Sequence, residues 1–390
     1  MTTVTVSPEV LVWAREQVAL TQVDAAESIG VPPERLQRFE RGVEDPTLSA
    51  LDSMARVYKR PLAFFFLRQP PEGTELPSDF RLRTVDGAPA ALSRHLIIAI
   101  RQVKSWQSMI GTLREHDESV LPQGELPNAS IDDDTDDVGA AARGLLNITE
   151  AQQLVWTSHE TALAAWRSAV ESLGVLVFAL TISRDIARGF SVAGNGGPPT
   201  IALARESEQA RIFTLLHEFA HLMMRSGAIC TEFEDASPRG LVERFCNRVA
   251  ASTLMPRSLV ETWIAREFAR VPRTWQSADL IRLASALHVS VPAIAIRLEE
   301  LELAAPGLYD AWMQRPVPPF VKERTGGGGP SSWPGVRLSE RGEGFSRAIF
   351  RAWTNRLIST ADAARAMSMP PKYVSFIENS LSRKRERLGY

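Results

Sequence analysis

The chain has 390 residues, 44% of them apolar and 23% charged, and its 44 Lys and Arg against 46 Asp and Glu leave a net charge of −2. These ordinary globular values exclude a disordered, collagenous or disulfide-stapled chain, and the length accommodates roughly two to four domains. The near-zero balance argues at first sight against a nucleic-acid partner, but it is an average: residues 1–68 carry 8 basic and 9 acidic residues, 69–315 carry 23 and 31, and 316–390 carry 13 and 6.

Two cysteines, Cys230 and Cys246, cannot build a disulfide framework and fit a reducing cytosol. Met1 to Val10 shows no basic stretch followed by a long apolar one, so no signal peptide is expected. The apolar run Pro61–Leu67 is too short to span a bilayer and reads as core. A cytoplasmic protein without a membrane partner is expected.

In the first segment, Thr21 is placed to cap a helix with Val23, Ala26 and Ile29 facing inward, and Gly30 supplies the turn after it. Pro32 and Pro33 suit the first turn of a second helix, Pro33 to Arg41, which buries Leu36 and Phe39 and ends at Gly42. Its outer face carries Arg35, Gln37, Arg38 and Arg41. Asp45-Pro-Thr47 starts a further helix bearing Leu48, Leu51, Met54, Ala55 and Tyr58. Two short helices around a tight turn, the second lined with Arg and Gln, make a helix–turn–helix. Arg can bond guanine edges or phosphates and Gln can bond adenine, so Gln22, Arg35, Gln37, Arg38 and Arg41 are the DNA-binding candidates. The competing reading is a helical interaction module without DNA binding, to which the segment's own charge of −1 gives weight.

Gln69–Pro77 reads as an extended connector, and the acidic stretch within Leu121–Gly139 as a solvated loop. Gly174–Leu180 and Pro199–Ile201 read as strands. Arg211 to Met224, RIFTLLHEFAHLMM, is apolar nearly all round and therefore a buried helix, yet it contains His217, Glu218 and His221 in an HExxH pattern. Histidines at i and i+4 stand one turn apart on one face and can share a zinc ion, and the Glu beside them can take a proton from a bound water. A catalytic zinc needs a third protein ligand. Glu232, Glu234, Asp235 and Glu243 are the downstream acids, and Glu243 is favoured because it opens the best helix among them, Leu241–Pro256. Cys246 and Asn247 lie on the same face at i+3 and i+4. Cys246 is a competing soft ligand or a small core residue, and Asn247 can hold its neighbours by hydrogen bonds.

Leu280–Leu301 reads as helix, short turn, helix, with so few basic residues in its second helix that a packing role is expected, and His288 at its turn reads as structural. Gly326–Ser332 is a flexible linker. Beyond it, Leu357–Asn379 repeats Ala19–Arg41 without a gap at an offset of 338, sharing Asp-Ala-Ala, Pro-Pro and a Glu. The basic end, Ser382–Arg387, is either a phosphate-contacting arm or a solvated tail.

The segment Pro8–Leu67 resembles the Xre/Cro-type DNA-binding domain through Gln22, Ala25, Gly30, Glu40, Gly42, Pro46 and the hydrophobic spacing. Residues 170–310 resemble the ImmA/IrrE family of zinc metallopeptidases through Pro199–Ile201, Arg211–Leu222, Glu243–Asn247 and Leu254–Pro256. The resemblance implies a mainly α chain with a small α+β, gluzincin-like zincin domain, an N-terminal five-helix Xre/Cro-type domain and a C-terminal helical helix–turn–helix-like unit. It also implies Zn2+ held by His217, His221 and Glu243, with Glu218 as the base, and cleavage of Xre-type repressors that switches on phage, mobile-element or stress genes. The expected division is a DNA-binding domain at 1–68, a linker and helical connector at 69–169, a peptidase domain at 170–315, a linker at 316–335 and a basic helix–turn–helix-like unit at 336–390. DNA and a repressor protein are the expected partners, with a homodimer as the default for a helix–turn–helix protein. The alternatives are a transcription factor whose zincin fold senses a metal or ligand without turnover, or one half of a toxin–antitoxin-like pair. No oxyanion-stabilising residue is identifiable.

Overall fold

A computed structural model describes residues 3–71, 84–85, 88–89, 94–182, 186–194, 196–225, 229–230, 238–268, 270–272, 274–315 and 333–376. The chain divides into two compact units, Met1–Gln102 and Val103–Tyr390.

In the first unit, α1 (Pro8–Glu16), α2 (Gln22–Ile29), α3 (Pro33–Glu40) and α4 (Leu48–Tyr58) are followed by a 3-10 turn, Leu62–Phe66, as the fifth helical element. Their starts and stops follow local chemistry. The Thr21 hydroxyl accepts the Asp24 N–H at 3.2 Å, and Gly30 closes α2 with φ +84°. Leu36, Phe39, Leu51, Tyr58 and Phe65 fill the core. Val23, expected to face inward, is 60% exposed, and Ala25 is buried instead. Both alanines, Ala25 and Ala26, lie in the core of this unit.

Thr84–Val85 (β1) and Ala88–Pro89 (β2) pair antiparallel. Helix α5 (Arg94–His116) gives its later turns to the second unit. There follow α6 (Thr135–Leu145), α7 (Glu150–Leu154) and α8 (His159–Ser172). Next come β3 (Leu176–Ala179), β4 (Gly189–Val192), β5 (Thr200–Leu203), α9 (Glu208–Met223) and β6 (Ile229–Cys230). The strand order is β3-β5-β4-β6, with β3 parallel to β5, and β4 antiparallel to both β5 and β6. Every residue of β3, β4 and β5 is buried, so both sheet faces are covered there. Helix α9 packs on β4 and β5, with α8 and α10 (Pro238–Leu254) beside it. Helices α11 (Arg257–Glu267), α12 (Ser277–Leu287), α13 (Val291–Glu300) and α14 (Leu308–Met313) follow. Ile294, Ala295 and Leu298 of α13 are buried, in keeping with the packing role expected of it.

A buried polar network fixes the far end of α10. Arg143 of α6 donates to the Thr253 carbonyl at 2.9 Å and to Gln153 at 2.8 Å, and Gln153 donates to the carbonyls of Leu254 and Leu287. Burial lowers the Arg143 pKa to about 10.

Helices α15 (Trp333–Arg341), α16 (Glu343–Thr354) and α17 (Thr360–Ala366) pack into the second unit. The Phe345 ring lies 5.3 Å from that of Phe178 in β3 and 5.9 Å from that of Trp106 in α5. The internal repeat is visible in three dimensions as far as residue 376. Ser359 caps α17 as Thr21 caps α2, and Ser368 adopts φ +52° where Gly30 has φ +84°. Ala363, Ala364, Met367 and Val374 are buried like Ala25, Ala26, Ile29 and Leu36. The Pro370-Pro371 pair starts a 3-10 turn, Pro371–Tyr373. The linker Gly326–Ser332 and the basic end Ser382–Arg387 lie outside the described residues. No single helix among those described is long and apolar enough to cross a membrane.

Candidate metal centre and helix–turn–helix

Helix α9 begins where the Ser207 hydroxyl accepts the Ala210 N–H, and it runs buried beneath the sheet. Burial is complete around the motif: His217 is 1% exposed and Glu218 and His221 are 0% exposed. Because α10 crosses beside α9, Glu243 in its early turns meets both histidines. Glu243 Oε2 stands 3.2 Å from His217 Nε2 and 3.6 Å from His221 Nε2, and the two Nε2 atoms are 3.1 Å apart. Three donors held about 2.0–2.2 Å from one tetrahedral ion would be roughly 3.3–3.5 Å apart, so this triangle fits a small metal ion such as zinc. It is the one His/Cys/Asp/Glu group of this kind among the described residues. Glu232, Glu234 and Asp235, the other acids considered, lie outside the described residues.

The second layer comes from the same face of α10. His217 Nδ1 is 2.8 Å from Asn247 Oδ1, an arrangement in which the imidazole N–H donates and the amide oxygen accepts. That tautomer leaves the Nε2 lone pair directed at the donor triangle. Cys246 turns the other way: it is fully buried, with Sγ 3.8 Å from Met224 Sδ, a core position away from the triangle. His288 also stands apart, its Nδ1 3.0 Å from His159 Nδ1.

Electrostatics separate the two acids. Burial opposes the Glu243 carboxylate, but the hydrogen bonds and charge of His217 and His221 outweigh it and hold its pKa down to about 2. For Glu218 the balance falls the other way. Burial pushes its pKa up to about 8, against the opposing effects of His217 and the Ser191 hydroxyl, while Glu243 adds to the rise. No well-formed hydrogen bond reaches either Glu218 oxygen among the described residues. One acid is thus a committed anion suited to a cation, and the other a high-pKa carboxyl suited to exchanging protons.

The sheet adds two positions that the sequence did not reveal. Ser191 on β4 faces Glu218. Gly189 on the same strand lets α9 approach the sheet, since a Cβ there would lie 2.7 Å from Thr214 Cγ2 and 2.9 Å from the Ala202 carbonyl, with Glu218 Oε1 in ordinary contact at 3.5 Å. Only the strand pairing reveals them, because β4 carries no motif.

The DNA-binding candidates divide into three groups. Gln22 donates to Glu40 at 2.8 Å, beside the Arg15–Glu40 pair at 2.7 Å, and so belongs to a partly buried network joining α1, α2 and α3. Arg35 and Arg38 are exposed and both reach Glu44, at 3.0 and 3.3 Å. Arg41 is exposed and Gln37 half-buried on the same helix end.

Comparison with known proteins agrees with this geometry. Residues 170–299 match a peptidase family described as IrrE N-terminal-like domain. Residues 11–65 match the helix-turn-helix family. No curated protein and no solved structure matches the chain. The matched spans contain the donor triangle and helices α2 to α4, respectively, so residues 11–65 are similar to helix-turn-helix domains and residues 170–299 to IrrE N-terminal-like peptidase domains.

Proposed function

We propose that the protein is a DNA-binding regulator and a metal-dependent endopeptidase that cleaves a repressor protein. The observation that carries the catalytic half is the pairing of a three-donor triangle with a buried carboxyl one residue along the same helix. A bound zinc ion would be held by His217, His221 and Glu243, and it supplies Lewis-acid polarisation of a carbonyl and a lowered water pKa. Asn247 fixes the orientation of His217. Glu218 accepts a proton from the attacking water and returns it to the leaving amine, for which its raised pKa is well placed. On the DNA side, Arg41, Gln37 and the Arg35/Arg38 pair would face the duplex once Glu44 yields to phosphate. A cytosolic setting and a homodimer reading two half-sites fit this role.

The reading is tested on the full chain loaded with zinc and offered a panel of Xre-type repressors. Wild type is expected to bind one metal per chain and cut a repressor. Glu218→Gln is expected to keep the metal and lose cleavage by about 100-fold or more. Cleavage retained in that variant would overturn the role of Glu218. Metal and DNA binding without any cleavage by wild type would favour a sensor instead.

A further inference from the structure

A cavity of about 510 Å3 lies one residue removed from the donor triangle, lined by none of its three ligands, and is unused by the mechanism above. Asn247 belongs to both: it accepts from His217, and it lines the cavity. Phe213, one turn before His217 on α9, lies in the same wall, and Ala251, one turn beyond Asn247 on α10, lines it too. The cavity therefore follows α9 back from the motif towards its start at Ser207 and Ala210, which also line it.

Its lining carries three basic residues, Arg188, Arg244 and Arg248, and one acid, Glu300, and Arg188 and Arg244 each have a further interaction partner besides. The Arg248 side chain is 63% exposed, and its contact with Glu300 is a loose 3.8 Å. Two helices, of 16 and 10 residues, also begin on it. Ser207 caps α9 and Ser290 caps α13, each accepting the N–H of a residue that itself lines the cavity, Ala210 and Ala293. Both N-termini add positive potential to that of the arginines. Phe213, Val289 and Ile296 contribute apolar surface to the same lining.

Resting on the peptidase reading, we infer that this cavity is a specificity subsite for an acidic residue of the substrate polypeptide, with an apolar neighbour seated against Phe213 and Ile296. From His217 to Ala210 the helix rises about 10 Å, which about three residues of extended chain span. The acidic residue is therefore placed within about three positions of the cleaved bond, always on the same side. Arg248 and Arg188 are specificity residues here, since they contact the substrate away from the reacting atoms. A guanidinium–carboxylate contact of this kind is worth roughly tenfold or more in discrimination.

The experiment has two arms. In the first, zinc-loaded full-length wild type is incubated with a peptide library from a digested bacterial proteome, and new termini are mapped by mass spectrometry. Asp or Glu enriched at one fixed position near the cut is expected. The surface variant Arg248→Glu is expected to lose that enrichment about tenfold while still cutting. Cuts without acidic enrichment, or with enrichment unmoved in both Arg248→Glu and Arg188→Gln, would overturn the inference. Absence of any cut would count against the peptidase reading, and the second arm then decides the inference alone. There, Glu218→Gln binds two fluorescent peptides of sequence AFEELA and AFKKLA. Binding of the first at least about tenfold tighter, with the preference reversed by adding Arg248→Glu, is expected. Equal binding of the two would overturn the inference.

Discussion

At the residue scale the metal centre depends on a single amide. Asn247 Oδ1 decides which nitrogen of His217 carries the proton and so which one faces Glu243. Asn247→Ala is expected to weaken metal affinity by about 10- to 100-fold without unfolding the chain, as loss of an outer partner commonly does; a chelator competition titration measures it. His217, Glu218 and His221 were legible in the sequence because a helix turn of fixed pitch places i and i+4 together whatever surrounds them. Glu243 was legible one step less directly, through the amphipathic spacing of α10. Ser191 and Gly189 were not legible, since their approach to Glu218 depends on how β4 pairs with β5, a relation that no local pattern encodes. Arg188, Arg244 and Arg248 were equally silent, being ordinary charged residues until three elements gather them.

Among the elements, the helix–turn–helix shows how sequence resemblance and structural role can part. Gln22 was expected at the DNA, yet its amide is engaged by Glu40, which also holds Arg15. Arg15 donates besides to the Leu20 carbonyl, so the network ties the end of α1 to the start of α2. Glu40→Ala would leave a half-buried guanidinium without its carboxylate, and a loss of about 3 kcal/mol is expected, read from urea unfolding. Caps and turns were the most legible features. Thr21, Gly30 and the Pro32-Pro33 pair act where simple capping chemistry puts them. The inward face of α2 was misread at Val23 because in an eight-residue helix one residue of phase error turns a side chain outward. The repeat held for the same reason that caps did: its matched residues set a helix start and a small-residue contact, while the left-handed stop is kept with Ser368 in place of Gly30.

For the whole molecule, the separation into two compact units gives metal removal a localised signature. The three ligands all lie in the second unit, on two helices that anchor its core. Stripping the ion with a chelator is expected to lower the thermal transition of that unit, by about 4 kcal/mol if the metal had been present at a thousandfold excess over its dissociation constant. Scanning calorimetry with and without chelator checks this. Strands β3 and β5 and helix α9 were legible from apolar runs and the motif, whereas β4 and β6 were not. The joining of α15 to α17 with β3 and α5 was not, because it rests on aromatic contacts between Trp106, Phe178 and Phe345 that are far apart in the sequence.

The near-total burial of α9 has a kinetic consequence. His217, Glu218 and His221 are at most 1% exposed, so the surface of an intact globular target has no way to touch them. Only a strand that has peeled away from its own fold could thread in. Turnover would then be governed by how often the target opens, much as amide exchange is. Weakening the target around its cut site by about 1.4 kcal/mol should speed its loss about tenfold with no change in the enzyme. A cell could therefore set the lifetime of such a repressor through whatever loosens it, such as leaving the operator or losing its dimer partner. Comparing the cleavage rate of one repressor with and without operator DNA would reveal this: equal rates would mean that target opening is not the slow step.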